Sequence, residues 1–247
     1  MRIIARLDIK NKYLIKGINL EGLRKIGEAK EEAINYYQNN IDEMIYIDTV
    51  ASLYSRNAML DILKDSVKNI FVPITVGGGI KNLDDAIDYF KSGADKIFVN
   101  TSAVTNPEII DELVKHFGKA NISLSVEAKQ IDKNTFNAYT SSGRDNSGKN
   151  IEEWIKEAID RGVGEIFLTS VDNDGLQNGF NLQLIELSCR ISTVPVVISG
   201  GFGRLEHLES LNKEVSGIAI GSALHYKKLS IQDIKNKISE LGFDVRL

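Results

Sequence analysis

Short β-branched runs alternate along the chain with charged stretches whose apolar positions recur at helical spacing. The runs predict strands over residues 3–8, 44–48, 72–76, 96–99, 122–127, 165–169, 196–198 and 217–220. The intervening stretches predict helices over 30–39, 57–67, 83–92, 107–117, 151–161, 182–191, 206–212 and 231–241. Apolar strands that alternate with amphipathic helices are the pattern of βα units on a parallel sheet. Eight such units point to an α/β fold, a closed (β/α)8 TIM barrel. Two connections are long for a βα unit, Lys10 to Ala29 and Gln130 to Lys149. At a catalytic rim such segments are expected to be loops acting as lids.

The chain also repeats itself. Val76-Gly77-Gly78-Gly79-Ile80 returns as Ile198-Ser199-Gly200-Gly201-Phe202, about half a chain later. After each, a further strand closes in a small-residue turn, first Asn100-Thr101-Ser102 and then Gly221-Ser222-Ala223. A duplicated half-barrel with two phosphate cradles at one rim accounts for both echoes. Each cradle would present backbone N–H groups, from Gly78, Gly79 and Asn100 or from Gly200, Gly201 and Gly221, with a hydroxyl from Thr101 or Ser222. The predicted substrate carries a phosphate at each end.

Composition narrows the classes. A chain of 247 residues with 43% hydrophobic content suits one barrel domain, residues 1–247. A net charge of -4 with no Lys/Arg run offers nothing to nucleic acid. The single cysteine, Cys189, excludes an internal disulfide, and with three histidines no metal site or cofactor is expected. With no leader and no membrane-length apolar run, a cytoplasmic protein is expected.

Carboxylates close three strands: Asp8, Asp48 and Glu127. Asp172 and Asp174-Gly175 follow the sixth. Asp8 and Glu127 fall at equivalent positions of the two halves and are expected to face each other across the mouth. Proximity would then split their pKa values and leave one protonated, which suits general acid–base work. The plainer alternative is that strand-end carboxylates only cap the next helix or pair with a lysine. Lys16 and Arg24, in the first long connection, would bring mobile charge over a ligand, or serve only as solvated surface.

At these residues the chain resembles the cyclase subunit of imidazole glycerol phosphate synthase, over essentially its whole length. The matching stretches include Arg2-Ile3-Ile4-Ala5 with Leu7-Asp8, Leu14-Ile15-Lys16-Gly17, Thr75 through Ile80, Gly93-Ala94-Asp95-Lys96, Asn100-Thr101, Asp174-Gly175 and Ser199-Gly200-Gly201. The resemblance implies a lyase working with a glutamine amidotransferase docked at the N-terminal face of the barrel. Ammonia would pass through the barrel to a bisphosphorylated aminoimidazole carboxamide ribonucleotide in its ribulose form. It also implies that Asp8 and Glu127 are the catalytic pair, that Asp174 orients substrate, and that Arg2, Glu43, Lys96 and Glu165 ring the channel entrance.

Departures from the family pattern cluster inside the barrel. Glu127 stands where the family has aspartate, and Arg6 where it usually has cysteine. Period-two alternation points Arg2, Ile4, Arg6 and Asp8 inward, together with Ser125 and Glu127. A buried arginine cannot stay unpaired, so Arg6 is expected to pair with Glu127, or in a triad with Asp8, and to depress the pKa of Glu127. The alternative is that Arg6 reaches up to a substrate phosphate. Phe98 and Phe167 are enlarged inward positions that either constrict the ammonia path or fill the core around Arg6. Asn173 and Asn181 replace a basic residue and an aspartate. A second reading is thereby open: a paralogue that handles ammonia beside an amidotransferase and an ATP-dependent enzyme, for amidation of a nucleotide-linked surface sugar. A sugar-phosphate isomerase of the same barrel class is a third reading. The charged ring and Asp174-Gly175 speak against it.

Overall fold

The computed structural model describes residues 1–49 and 57–247. Its strands are β1 (Arg2–Lys10), β2 (Tyr13–Ile18), β3 (Glu21–Glu28), β4 (Glu43–Asp48), β5 (Ile74–Gly77), β6 (Lys96–Val99), β7 (Ile122–Asp132), β8 (Thr135–Thr140), β9 (Asp145–Asn150), β10 (Glu165–Ser170), β11 (Val196–Ser199) and β12 (Val215–Ile220). The helices are α1 (Ala29–Gln38), α2 (Asn57–Ser66), α3 (Leu83–Lys91), α4 (Thr101–Thr105), α5 (Glu108–Phe117), α6 (Ile151–Asp160), α7 (Leu182–Ile191), α8 (Ser222–His225) and α9 (Ile231–Glu240).

Eight strands, β1, β4, β5, β6, β7, β10, β11 and β12, pair in parallel and close when β12 meets β1 at Arg2↔Gly217 through Ala5↔Ile220. The expected (β/α)8 barrel is therefore present. Alternation along β1 divides the core in two. Ile3, Ala5, Leu7 and Ile9 face outward into the layer under the helices, where each large aliphatic side chain is fully buried. Such burial stabilises by roughly 1.5–3 kcal/mol per side chain. Asn82, Asn150, Asn181 and Ser230 cap α3, α6, α7 and α9 by accepting from backbone N–H groups of the first turn. Asn181 thus keeps the capping that an aspartate would supply.

The two long connections are not loops. Each is an antiparallel hairpin continuing a barrel strand: β2–β3 on β1 from Asp8↔Ile15, and β8–β9 on β7 from Glu127↔Tyr139. Tyr, Ile and Thr at alternate positions carry this strand pattern, which loop length alone obscured. The segment expected as a helix over 206–212 is instead a 3-10 turn, Leu205–Ser210.

The half-barrel repeat is written in the backbone. Gly78 and Gly200 share φ near 100° (99° and 100°), and each sits where a Cβ would strike a backbone oxygen, of Asp48 at 2.3 Å or Ser170 at 2.5 Å. Only glycine fits there. Asn100 and Gly221 precede the short helices α4 and α8 in one unusual conformation, φ/ψ of -133°/-88° and -106°/-87°. Both hairpins are tied to other parts of the rim. Asn19 on the first donates to the backbone of Val171 and Asp172, while Ser141 on the second donates to Thr101 Oγ1 at 3.2 Å.

Inside the barrel the side chains form layers. Nearest the N-terminal face, Arg2 donates to Glu43 at 2.7 Å and Glu165 at 2.5 Å, and Lys96 donates to the same pair at 3.2 and 3.4 Å. Above that ring lies an apolar layer of Ile4, Ile45, Phe98, Phe167, Val197 and Ala219. The Phe98 and Phe167 ring centroids are 5.7 Å apart. Phe98 is pressed so closely on β5 that a Cβ at Gly77 would lie 2.1 Å from its ring. No helix among the described residues is long and apolar enough to cross a membrane.

Candidate active site

Above the apolar layer, at the C-terminal rim, a cavity of about 660 Å³ opens. Its lining includes Asp48, Gly78, Gly79, Asn100, Thr101 and Glu127, so six of the residues singled out by sequence meet in one place. Arg6, Ser125, Phe98, Phe167 and Thr169 form its floor. The second hairpin adds Ser141, Ser142 and Arg144, which sequence reasoning did not assign. Ser141, Ser142 and Gly143 all have positive φ (54°, 60° and 74°), and a Ser-Ser-Gly cluster between two strand-like runs was the available signal.

Other expected residues lie beside this cavity, not on it. Asp8, Lys16 and Asp174 are buried with Arg6 in an alternating set of charges. Arg6 Nε donates to Asp8 at 3.0 Å, and its Nη1 lies 3.7 Å from Asp174. Lys16 Nζ lies 3.3 Å from Asp8 and 2.6 Å from Asp174. Lys16 is therefore no mobile charge over a ligand; β2 carries it inward and two carboxylates fix it. Arg24, its ladder partner on β3, is exposed. In the second half, Gly201 packs under the carbonyl of Gly179, and Gly175 under that of Gly17. Gly200 lies against Ser170, while Gly221 and Ser222 lead into α8 beside the Lys16 stem.

The expected ion pair between Arg6 and Glu127 is absent. Arg6 turns instead to Asp8 on its own strand, two residues on and on the same face, and to Asp174. Glu127 is half-buried and accepts from the Gly143 N–H at 2.8 Å. Burial pushes its pKa up to about 7, against the lowering effects of Gly143 and Arg6 and with help from Asp8. The expected depression is thus reversed. Burial would also raise Asp8, but Arg6 and Lys16 outweigh it and hold its pKa down at about 2. The two carboxyls do diverge as expected, with local burial and cations as the main cause and mutual repulsion a smaller one.

His225, next to the last turn, is buried, and burial lowers its pKa to about 4 while Tyr36 Oη lies 2.7 Å from its Nδ1. Asn173 Nδ2 donates to the Gly179 carbonyl and fixes the loop over Gly201. No group of residues suited to hold a metal ion occurs among the described residues.

A closed (β/α)8 barrel whose C-terminal rim opens into a cavity lined by a carboxyl and by glycine-rich turns has the setting in which barrel enzymes carry their sites. The model of the family described as "Histidine biosynthesis protein" matches residues 2–230. The chain is 45% identical over 206 residues to the imidazole glycerol phosphate synthase subunit HisF of Legionella pneumophila, covering 83% of this chain and 97% of that one. It is 39% identical over 248 residues to the HisF subunit of Hydrogenobaculum sp. (100% and 98% covered) and 40% identical over 247 residues to that of Thermococcus onnurineus (100% and 98%). The chain belongs to the HisF family, the cyclase subunits of imidazole glycerol phosphate synthase.

Proposed function

We propose that this barrel is a HisF-type cyclase of histidine biosynthesis. It takes ammonia from a glutamine amidotransferase docked on the face ringed by Arg2, Glu43, Lys96 and Glu165. At the opposite rim it joins that ammonia to the ribulose-form aminoimidazole carboxamide ribonucleotide, whose two phosphates rest on the Gly78–Thr101 and Gly200–Ser222 turns. Products are imidazole glycerol phosphate and aminoimidazole carboxamide ribonucleotide. The observation that carries this reading is the twofold repeat of the glycine turns on either side of Glu127 and Asp8. A carboxyl that titrates near pH 7 can both take and give a proton under working conditions. Asp8, held ionised between Arg6 and Lys16, positions the Arg6 guanidinium at the cavity floor.

The test is turnover of that ribonucleotide with saturating ammonium at alkaline pH. The reading requires turnover by the unaltered chain and its loss in Asp8→Asn and Glu127→Gln.

A specific observation favours the second reading, an ammonia-handling paralogue supporting amidation of a nucleotide-linked surface sugar with an ATP-dependent partner. The cavity ends on Phe98 and Phe167, and six apolar side chains stand between it and the charged ring. A folded barrel that binds an amidotransferase but leaves the ribonucleotide untouched would move the assignment there.

A further inference from the structure

The floor of the open cavity carries hydrogen-bond donors that the fold itself does not use. Arg6 presents five N–H bonds and cannot lose its charge. Its Nε serves Asp8 at 3.0 Å, and its Nη1 serves Thr169 Oγ1 at 3.3 Å and Ser199 Oγ at 3.2 Å. Its Nη2 has no partner among the described residues, although the side chain is only 4% exposed and what exposure it has is to the cavity. This amino group is not among the fully buried polar atoms without a partner, so it meets the open cavity and is available to an acceptor placed there.

Two hydroxyls line the same cavity. Thr169 accepts from Arg6, which leaves its own proton free, and it lines the cavity. Ser125 is buried, lines the same floor and has no partner among the described residues. Beside them Glu127 uses one oxygen for Gly143 and turns to the cavity. Phe98 and Phe167 complete this floor, the Phe167 ring centroid 5.8 Å from the Arg6 guanidinium carbon.

We propose that Arg6, Ser125 and Thr169 form a binding site for a planar carbonyl group of the substrate, with its oxygen on the three donors and its carbon within reach of Glu127. The charges select this ligand. Arg6 and Lys16 are balanced by Asp8 and Asp174, so the floor offers directed donors and no net positive charge. A phosphate dianion gains little there, and a cradle suited to phosphate already exists at Gly78, Gly79, Asn100 and Thr101. A polarised carbonyl gains most, since aligned donors in a water-poor site stabilise charge that develops on its oxygen.

Resting on the function proposed above, this is the ketone of the ribulose-form substrate. The ammonia lone pair forms the C–N bond, and the C=O π pair moves onto the oxygen held by Arg6, Ser125 and Thr169. Glu127, as carboxylate, takes a proton from nitrogen and returns it to that oxygen. The balanced product is the carbinolamine.

The experiment uses the whole chain with 15N-labelled arginine and hydroxyacetone as a neutral, planar carbonyl probe. The Arg6 Nε–H resonance, identified by its loss in Arg6→Lys, should shift saturably with hydroxyacetone. The apparent affinity should fall at least tenfold in Ser125→Ala, which leaves the charge set intact. A shift linear in hydroxyacetone, or an equal affinity in Ser125→Ala, overturns the site. In the turnover assay, Arg6→Lys should lower kcat with little change in KM, and added guanidinium should partly restore Arg6→Ala. If the ribonucleotide is not turned over at all, the function above falls while the hydroxyacetone titration still decides the site.

Discussion

Replacing Glu127 by glutamine tests the electrostatics of the site without any knowledge of its substrate. The carboxyl is raised from 4.5 to about 7, chiefly by burial. Between these values the folded chain holds a proton that the unfolded chain has released, so stability falls as pH rises through the window and is level above it. At ~1.4 kcal/mol per unit the fall amounts to about 3 kcal/mol at most, because the carboxyl opens onto the cavity and is partly screened there. Glutamine keeps the acceptor for the Gly143 N–H and cannot ionise. His225 contributes the opposite slope: its pKa is lowered by burial from 6.5 to about 4, so its share of stability grows as pH rises over that span. That slope is common to both proteins and cancels in the difference. Urea unfolding followed by circular dichroism at pH 4.5, 6, 7 and 8 should show the variants nearly equal at the lowest value. Glu127→Gln should then become progressively more stable than the parent, by up to about 3 kcal/mol at pH 8. Parallel profiles across the window would refute the assignment of a raised pKa to this carboxyl.

Gly77→Ala should destabilise by about 1–3 kcal/mol through overpacking against Phe98, and Phe98→Leu should relieve most of that in a double-mutant cycle of urea midpoints. Asp8→Asn should blunt acid sensitivity: the stability that Asp8 supplies is present above pH 3.8 and lost as pH falls toward 2, a limb visible in acid titration of the parent and missing in the variant. Lys235→Met should cost about 3 kcal/mol, because Lys235 is fully buried 2.7 Å from Asp42; Arg246 and the Ile3 N–H still hold that carboxylate and keep the loss at the low end, as thermal unfolding would report. Asn181→Ala should cost about 1 kcal/mol by uncapping α7.

Why the barrel was readable and the interior pairing was not comes down to the range of the interactions. Strand and helix patterns are local, so all eight barrel strands lay within a few residues of their predicted spans. Alternation on β1 likewise sent Arg2, Ile4, Arg6 and Asp8 inward, as found. The hairpins are less legible because their outer strands β3 and β9 are exposed polar runs such as Asp145–Asn150, so the short buried runs on β2 and β8 have no patterned partner in the sequence. Lys16 was misplaced for the same reason: as part of a loop it reads as mobile, as a strand residue opposite Arg24 it is directed into the barrel.

The partner of Arg6 could not be read because parity fixes the face and not the reach. Asp8 lies two residues along the same strand, so its carboxylate is within hydrogen-bond distance of Nε by local geometry alone. Glu127 is on β7, across the barrel from β1, and its longer side chain is anchored by the Gly143 amide of its own hairpin. The two departures from the family pattern are therefore coupled through a shared space and not through a bond. Arg6 occupies the middle of the floor and holds Asp8 ionised, while Glu127 stands at the cavity wall where burial keeps a proton on it near neutrality. In the function proposed above, proton transfer therefore falls to Glu127, and Asp8 acts by fixing Arg6. The second half of the rim is left to its charge set, with Lys16 between Asp8 and Asp174, and the open cavity belongs to the first half.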